Sequence, residues 1–361
     1  MRGAVLHTSP GELEITELAV DDPGPREVLV RTAAAGLCHS DLHAIDGSIP
    51  ARLPACLGHE AAGVVEAVGD QVHHVAPGDH VISCLSVFCG HCEHCVSGAP
   101  NRCRSTEMRR GPDERPRLRF EDGTPVNQWY QLSSFAELML VHENALVKIV
   151  DDIALDRAAL IGCGVVTGVG AVIHTAAVKP GETVAVIGCG GIGLNCVQGA
   201  RLAGAGRIIA VDRVPMKLEL ARRFGATDTV DASSVDPVGA VIEMTGGGVD
   251  HAFEAIGLKV TAEQAFAMLT IGGTATVVGL LPPGTNIEVA GLSLIGERKL
   301  QGSLMGSNRF RVDMPRLVDL YLQGRLDLDN LISARITLDE VNAGFKAMQT
   351  GEVARSVIVF S

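Results

Sequence analysis

The spacing of apolar positions changes character along the 361-residue chain. Up to about residue 145, short β-branched runs are joined by Pro/Gly turns such as "DDPGPREVLVRT" and "VAPGDHVIS", and no helical period develops. That pattern predicts a region dominated by β-strands. From residue 182 onward the rhythm alternates: "ETVAVIG" predicts a strand, "GIGLNCVQGARLAG" a helix and "RIIAVD" a second strand. An amphipathic stretch at 215–224, a strand near 228–231, a helix through 235–245, the run "GVDHAFEAIG", a helix at 260–270 and "GGTATVVGL" continue it. Alternation of this kind predicts a doubly wound parallel sheet, hence an α/β class. The tail "FKAMQTGEVARSVIVF" offers one more helix and a last strand that must pair elsewhere.

Length changes this picture by favouring two domains over one. A formal charge of −12 would repel a phosphate backbone, so no nucleic-acid partner is expected. "MRGAVLHTSPGELEI" lacks the apolar core of a signal peptide, and no uninterrupted apolar run approaches bilayer length. A cytoplasmic protein with no membrane partner is the expectation. Ten cysteines in that compartment argue against a disulfide framework. Cys56, Cys84, Cys189 and Cys196 sit among apolar or small residues and read as small buried side chains.

The candidate chemistry begins with "CGHCEHCVSGAPNRC", residues 89–103. Cys89, Cys92, Cys95 and Cys103 supply the four thiolates of a tetrahedral zinc, and four protein ligands leave no position for substrate. The site is therefore expected to be structural. A redox pair would need a helix start, which Gly98 and Pro100 do not suggest. His91 and His94 then read as loop residues.

A second set is dispersed. "GLCHSDLH" carries Cys38, "LGHEAAG" carries His59 and Glu60, and "IGCGVVTG" carries Cys163. Two thiolates and one imidazole make a catalytic zinc set with an open fourth position, unless a further residue such as Glu60 closes it. A Lewis-acid metal lowers the pKa of an alcohol, and a deprotonated alcohol releases hydride readily. A hydride acceptor is then required. Gly188, Gly190 and Gly193 form G-x-G-x-x-G between a strand and a helix, and Asp212 follows 19 residues past the last glycine. That context marks a dinucleotide site, with the pyrophosphate at a helix N-terminus and Asp212 on the adenosine ribose. A carboxylate there favours NAD over NADP, although Arg213 follows it directly.

Taken together, "CHSDLH", "GHEAAGVVEAVG", the four-cysteine lobe, "IGCGVVTGVGA" and "GCGGIGLNCVQGA" resemble the zinc-dependent medium-chain alcohol dehydrogenases over essentially the whole chain. The resemblance implies a GroES-like, mostly-β catalytic domain at 1–164 and 306–361, and an inserted Rossmann domain at 165–305. It implies two zinc ions per chain, NAD, and a small-molecule alcohol or aldehyde substrate in a cleft between domains. Cys38, His59 and Cys163 match the catalytic zinc ligands, Glu60 a nearby acid, and Asp41 the carboxylate that orients His59. Ser40 matches the hydroxyl that takes the substrate proton, with His43 as the exit to solvent. His39, Arg355, Lys217 and the glycines including Gly191 match coenzyme contacts. Ile49, Leu85, Trp129 and Tyr130 fall at or beside positions lining the alcohol channel, with aromatic core packing as the alternative for the last two. The charged segment 104–133 resembles a loop of dimeric members, which implies a homodimer, and most of its charges are expected to be solvated. Two rivals stand beside alcohol oxidation. One is thiol-dependent formaldehyde dehydrogenation, for which Ile49 is apolar where a charge would help, although Arg109 and Arg110 lie on the loop. The other is a non-enzymatic zinc-binding interaction protein.

Overall fold

A computed structural model describes residues 1–111, 113–350 and 355–360. The chain divides into two compact units, Met1–Cys163 with Arg309–Ser361, and Gly164–Asn308.

The first unit is built on β-sheets, and its longest strand is Glu27–Gly36. One edge of that strand pairs antiparallel with Ala61–Val68. Leu138–His142 pairs with the first half of the other edge, and the C-terminal strand Ser356–Val359 with the second half. The tail strand thus finds its partner 321 residues upstream, with Val357 opposite Gly36. Val28, Val30, Ala35, Leu57, Phe135 and Ile358 are among the apolar side chains packed in this core. The absence of a helical period before residue 145 is misleading at two α-helical segments among the described residues, one of them the single turn Glu93–Val96 with Cys92 as its N-cap residue in the cysteine lobe. His39–Asp46 is a helix, too short and too polar to register as a period, closed by Gly47 in the left-handed region.

In the second unit the alternation is as expected. Its strands are β1 (Thr183–Ile187), β2 (Arg207–Asp212), β3 (Asp228–Asp231), β4 (Val249–Glu254), β5 (Leu269–Val277) and β6 (Lys299–Gly302). They lie in the order β3-β2-β1-β4-β5-β6, and all five pairings are parallel. The order reverses between β1 and β4, and ligands of such sheets bind at the carboxyl ends of the strands there. Helices α1 (Gly191–Ala203), α2 (Pro215–Phe224), α3 (Pro237–Thr245) and α4 (Lys259–Ala267) make the crossovers.

The expectation of no bilayer-length apolar segment needs correcting. Leu155–Thr175 is a 21-residue helical run long and apolar enough by composition, but 83% of its most apolar window is buried inside the protein, as a core helix requires. It is interrupted by π-helical turns at Ile161–Val165 and Ala171–Thr175, the first of which carries Cys163. Such turns re-aim a side chain within a helix.

Candidate active site and metal centres

The helix His39–Asp46 starts where the strand Glu27–Gly36 ends, with Cys38 as its N-cap residue. Its first turn sends Asp41 into the protein, fully buried, while His39 stays exposed and Ser40 and His43 are half-buried. Asp41 Oδ1 accepts hydrogen bonds from His59 Nδ1 at 3.0 Å and from the Gly58 amide at 3.2 Å. The imidazole proton is thereby placed on Nδ1, and Nε2 is buried without a hydrogen-bond partner. Cys38, His59 and Cys163 each offer one ligand atom within 4.8 Å of the others, and all three are buried. The three expected ligands are therefore brought together from positions 125 residues apart.

Electrostatics reinforce the grouping. The contact with Cys163 draws the Cys38 thiol well below its ordinary pKa, and the His59 charge adds to this against burial. Cys163 itself is pushed well up, by the Cys38 sulfur and by burial. Burial opposes a charge on His59, but Asp41 and Cys38 outweigh it and raise its pKa well above the usual value. Burial pushes the Asp41 carboxyl up. A buried nitrogen lone pair facing two thiols is what a thiophilic cation would satisfy, so the donor set fits zinc.

Glu60 and Arg355 sit beside this cluster. A Cβ on Gly36 would lie 2.4 Å from Glu60 Oε1, so only glycine leaves room for the carboxylate. Arg355 is 5% exposed; one of its nitrogens donates to the Leu37 carbonyl at 2.8 Å and another lies 3.6 Å from Glu60 Oε2. Burial works against its charge, while Glu60, Cys38 and Cys163 hold it on. Expected as a coenzyme contact, Arg355 here counterbalances the anionic cluster, a role that no local sequence signal could reveal.

Of the four expected pocket residues, Tyr130 stands edge-on to the His59 ring, with centroids 5.3 Å apart. It is held there by a backbone in the left-handed region, φ 48°, followed by Gln131 at 64° and Ser133 at 61°. Strain of this sort persists where the surroundings over-determine it. Trp129, its ring 4.5 Å from that of Tyr130, is 9% exposed and belongs to the core. Ile49 and Leu85 are half-buried against the same core.

The four-cysteine lobe is equally well assembled. Its sulfurs lie 3.5 Å apart for Cys92–Cys95, and 3.8 Å for both Cys89–Cys95 and Cys92–Cys103. A tetrahedron with zinc–sulfur arms of about 2.3 Å has edges of about 3.8 Å, whereas a disulfide would need about 2.0 Å. The spacing fits a metal cage. Burial opposes ionisation of Cys89, but the His91 and Cys92 amides lower its thiol to about 6. His91 is exposed and pairs with Glu107 at 3.2 Å.

In the second unit, a Cβ on Gly193 would come within 1.7 Å of the Gly188 carbonyl oxygen, whereas one on Gly190 would meet nothing within 4 Å. The first glycine packs helix α1 onto β1; the second leaves a cradle at the helix N-terminus that fits a pyrophosphate. Asp212, at the end of β2, accepts from the Cys189 amide at 2.7 Å and the Val214 amide at 3.0 Å. Its carboxylate is thereby oriented at the edge of the cradle. Lys217 is half-buried on α2 nearby.

Most charges of the loop are exposed as expected, but not all. Arg110 and Arg117 are not solvated: both bind Glu27, which is 6% exposed, and Arg110 also binds Asp21 at 2.5 Å. Burial works against the Glu27 charge, but the two guanidiniums hold its carboxyl down at about 2. An alternation-based reading cannot see a pair 83 residues apart. Cys56, Cys84, Cys189 and Cys196 are buried as expected.

Comparison with known proteins gives the family. Residues 24–151 match the alcohol dehydrogenase GroES-like domain and residues 191–323 the zinc-binding dehydrogenase domain. An alcohol dehydrogenase class-3 of Cereibacter sphaeroides is 39% identical, with 99% of both chains covered. The chain belongs to the zinc-dependent medium-chain alcohol dehydrogenase family. An S-(hydroxymethyl)glutathione dehydrogenase of Photobacterium damsela subsp. piscicida is 40% identical to this dehydrogenase, with 98% of each chain covered. Among solved structures, benzyl alcohol dehydrogenase from Acinetobacter calcoaceticus superposes with a TM-score of 0.92 at 34% identity, covering 100% of this chain and 99% of its own. An alcohol dehydrogenase zinc-binding domain protein from Burkholderia ambifaria gives 0.95 at 38%, covering 100% and 98%. The dehydrogenase is therefore an oxidoreductase of GroES-like and Rossmann architecture.

Proposed function

We propose that the enzyme reversibly oxidises a primary or secondary alcohol to an aldehyde or ketone with NAD, using one catalytic and one structural zinc per chain. The observation that carries the reading is the buried Cys38, His59 and Cys163 set, with His59 Nε2 left without a hydrogen-bond partner. Three protein ligands leave room for a substrate oxygen. When bound, the zinc supplies Lewis acidity and the coenzyme accepts hydride. The chain does the rest. Asp41 fixes the His59 tautomer, and Arg355 offsets the negative charge of Glu60 and the two thiolates. Ser40, whose hydroxyl lies 3.8 Å from Cys38 Sγ, takes the substrate proton at Oγ. His43, one turn along the same helix and half-buried, releases it to solvent. Tyr130 forms an apolar wall beside His59, with Ile49, Leu85 and Trp129 completing the pocket. His39, Lys217 and Arg355 contribute to coenzyme binding together with Gly188, Gly190, Gly191, Gly193 and Asp212.

A second reading has a specific observation behind it, the curated relatives that act on S-(hydroxymethyl)glutathione. That substrate carries two carboxylates, which need cationic partners. Of the two loop arginines, Arg110 is already committed to Glu27 and Asp21, Arg109 is exposed, and Ile49 is apolar where a charge would help. Alcohol oxidation is therefore the leading reading. NADH formation across an alcohol panel and with formaldehyde, each with and without glutathione, separates the two. Turnover confined to formaldehyde plus glutathione would replace the first reading by the second. A zinc count on the same sample is expected to give two per chain. The reading also takes the enzyme as a cytoplasmic homodimer. Ile271, Leu292 and Ile295, 78–81% exposed near the edge strand β6, offer an apolar face for it; sedimentation at micromolar concentration tests that.

A further inference from the structure

The four-sulfur cage raises a question about how it is filled. Cys89 is 7% exposed while Cys92, Cys95 and Cys103 are half-buried, and once the cage is filled by four protein ligands it offers an arriving hydrated ion no vacant position. Directly beside it lies a third potential ligand group among the described residues. Cys89, His91 and Glu107 place one ligand atom each within 4.8 Å of one another, with His91 and Glu107 exposed. His91 Nε2 and Glu107 Oε2 stand 3.2 Å apart. Two nitrogen or oxygen ligands with arms of about 2.0–2.1 Å, set at a tetrahedral angle, are separated by about 3.3 Å. Gly90, φ 90° with open space around the position of a Cβ, turns the backbone so that His91 folds back over Cys89. Glu107 arrives from the other side, on the loop leaving Cys103. An exposed His–Glu ion pair contributes little to stability, so its stability value does not account for this placement.

We propose that Cys89, His91 and Glu107 form a surface entry site, where a divalent zinc ion is caught before it passes into the four-sulfur cage. The ion exchanges waters for the imidazole, the carboxylate and the shared Cys89 thiolate. It then leaves His91 and Glu107 as Cys92, Cys95 and Cys103 bind, their protons going to buffer. No oxidation state changes. Cys89 is the pivot, because it alone belongs to both groups. Release follows the same path in reverse, so the pair governs the rate of exchange and not the final occupancy.

The inference rests on the structural zinc proposed above, and the test separates the two. Holoenzyme is incubated with excess cadmium ion, and replacement in the four-sulfur and the two-sulfur sites is followed separately by cadmium NMR. His91→Ala and Glu107→Gln are expected to slow replacement in the four-sulfur site about tenfold. The two-sulfur site should exchange at an unchanged rate, and zinc content should stay at two per chain with unaltered thermal stability. Unchanged exchange in both variants would overturn the entry site, as would equal slowing at both metal centres. Loss of the lobe zinc in either variant would also overturn it, by making the pair permanent ligands. Wild-type protein holding a single zinc would overturn the occupancy on which the inference stands.

Discussion

The two metal centres are built on opposite plans. The cage draws its four sulfurs from fifteen consecutive positions and leaves three of them half-exposed on a loop. The other centre draws three ligands from a helix cap, a strand entrance and a π-helical turn, and buries all of them. The local set offers four sulfurs, enough to fill a tetrahedral ion, whereas the dispersed set offers two sulfurs and one imidazole with the Glu60 carboxylate nearby. The difference teaches that neighbouring turns can build a complete ligand set on their own, while a three-ligand set of this kind depends on the whole fold to bring its members together.

The largest expected effect comes from breaking the dispersed set. Cys163→Ala should lower kcat by on the order of a thousandfold, with circular dichroism and thermal midpoint nearly unchanged. Cys103→Ala should do the reverse, costing several kcal/mol and lowering Tm by about 10 °C; a stable, fully active variant would refute a structural metal. Glu27→Gln asks whether the loop leaving the cage depends on its buried charges. With the folded carboxyl at about 2 against an ordinary 4.5, Glu27 contributes stability at pH values above 4.5 that is lost as pH falls toward 2. The variant should lose roughly 2–3 kcal/mol near neutrality and show a flatter acid limb in urea titrations. Asp41→Asn sharpens the contrast at the open centre, because the cage has no counterpart to its carboxylate. Zinc should leave that site about 10–100-fold more readily to a competing chelator. Asp212→Gly has the smallest effect, an NAD to NADP preference reduced about tenfold by the ratio of kcat/KM values.

The same contrast explains what could be read in advance. The Rossmann sheet was legible because its strands and helices alternate at their own periods, and the cage because its ligands are neighbours. The dispersed ligands were found only through flanking motifs such as "CHSDLH", which also carry Asp41. The helix His39–Asp46 was missed because eight mixed residues establish no period, and its length is decided by Gly47 and by packing of Leu42 and Ala44. The Glu27–Arg110–Arg117 network, the second role of Arg355 and the His91–Glu107 pair were missed for another reason. Each joins residues through folding alone, and a charged side chain in a loop looks the same whether it is paired or solvated.

Trp129 is the single tryptophan of the chain, and its indole touches the tyrosine that leans on His59, one of the three residues that could hold the dispersed metal. The enzyme therefore carries one built-in fluorophore, two rings away from its reacting centre. Its emission gives an optical readout of that centre without any label.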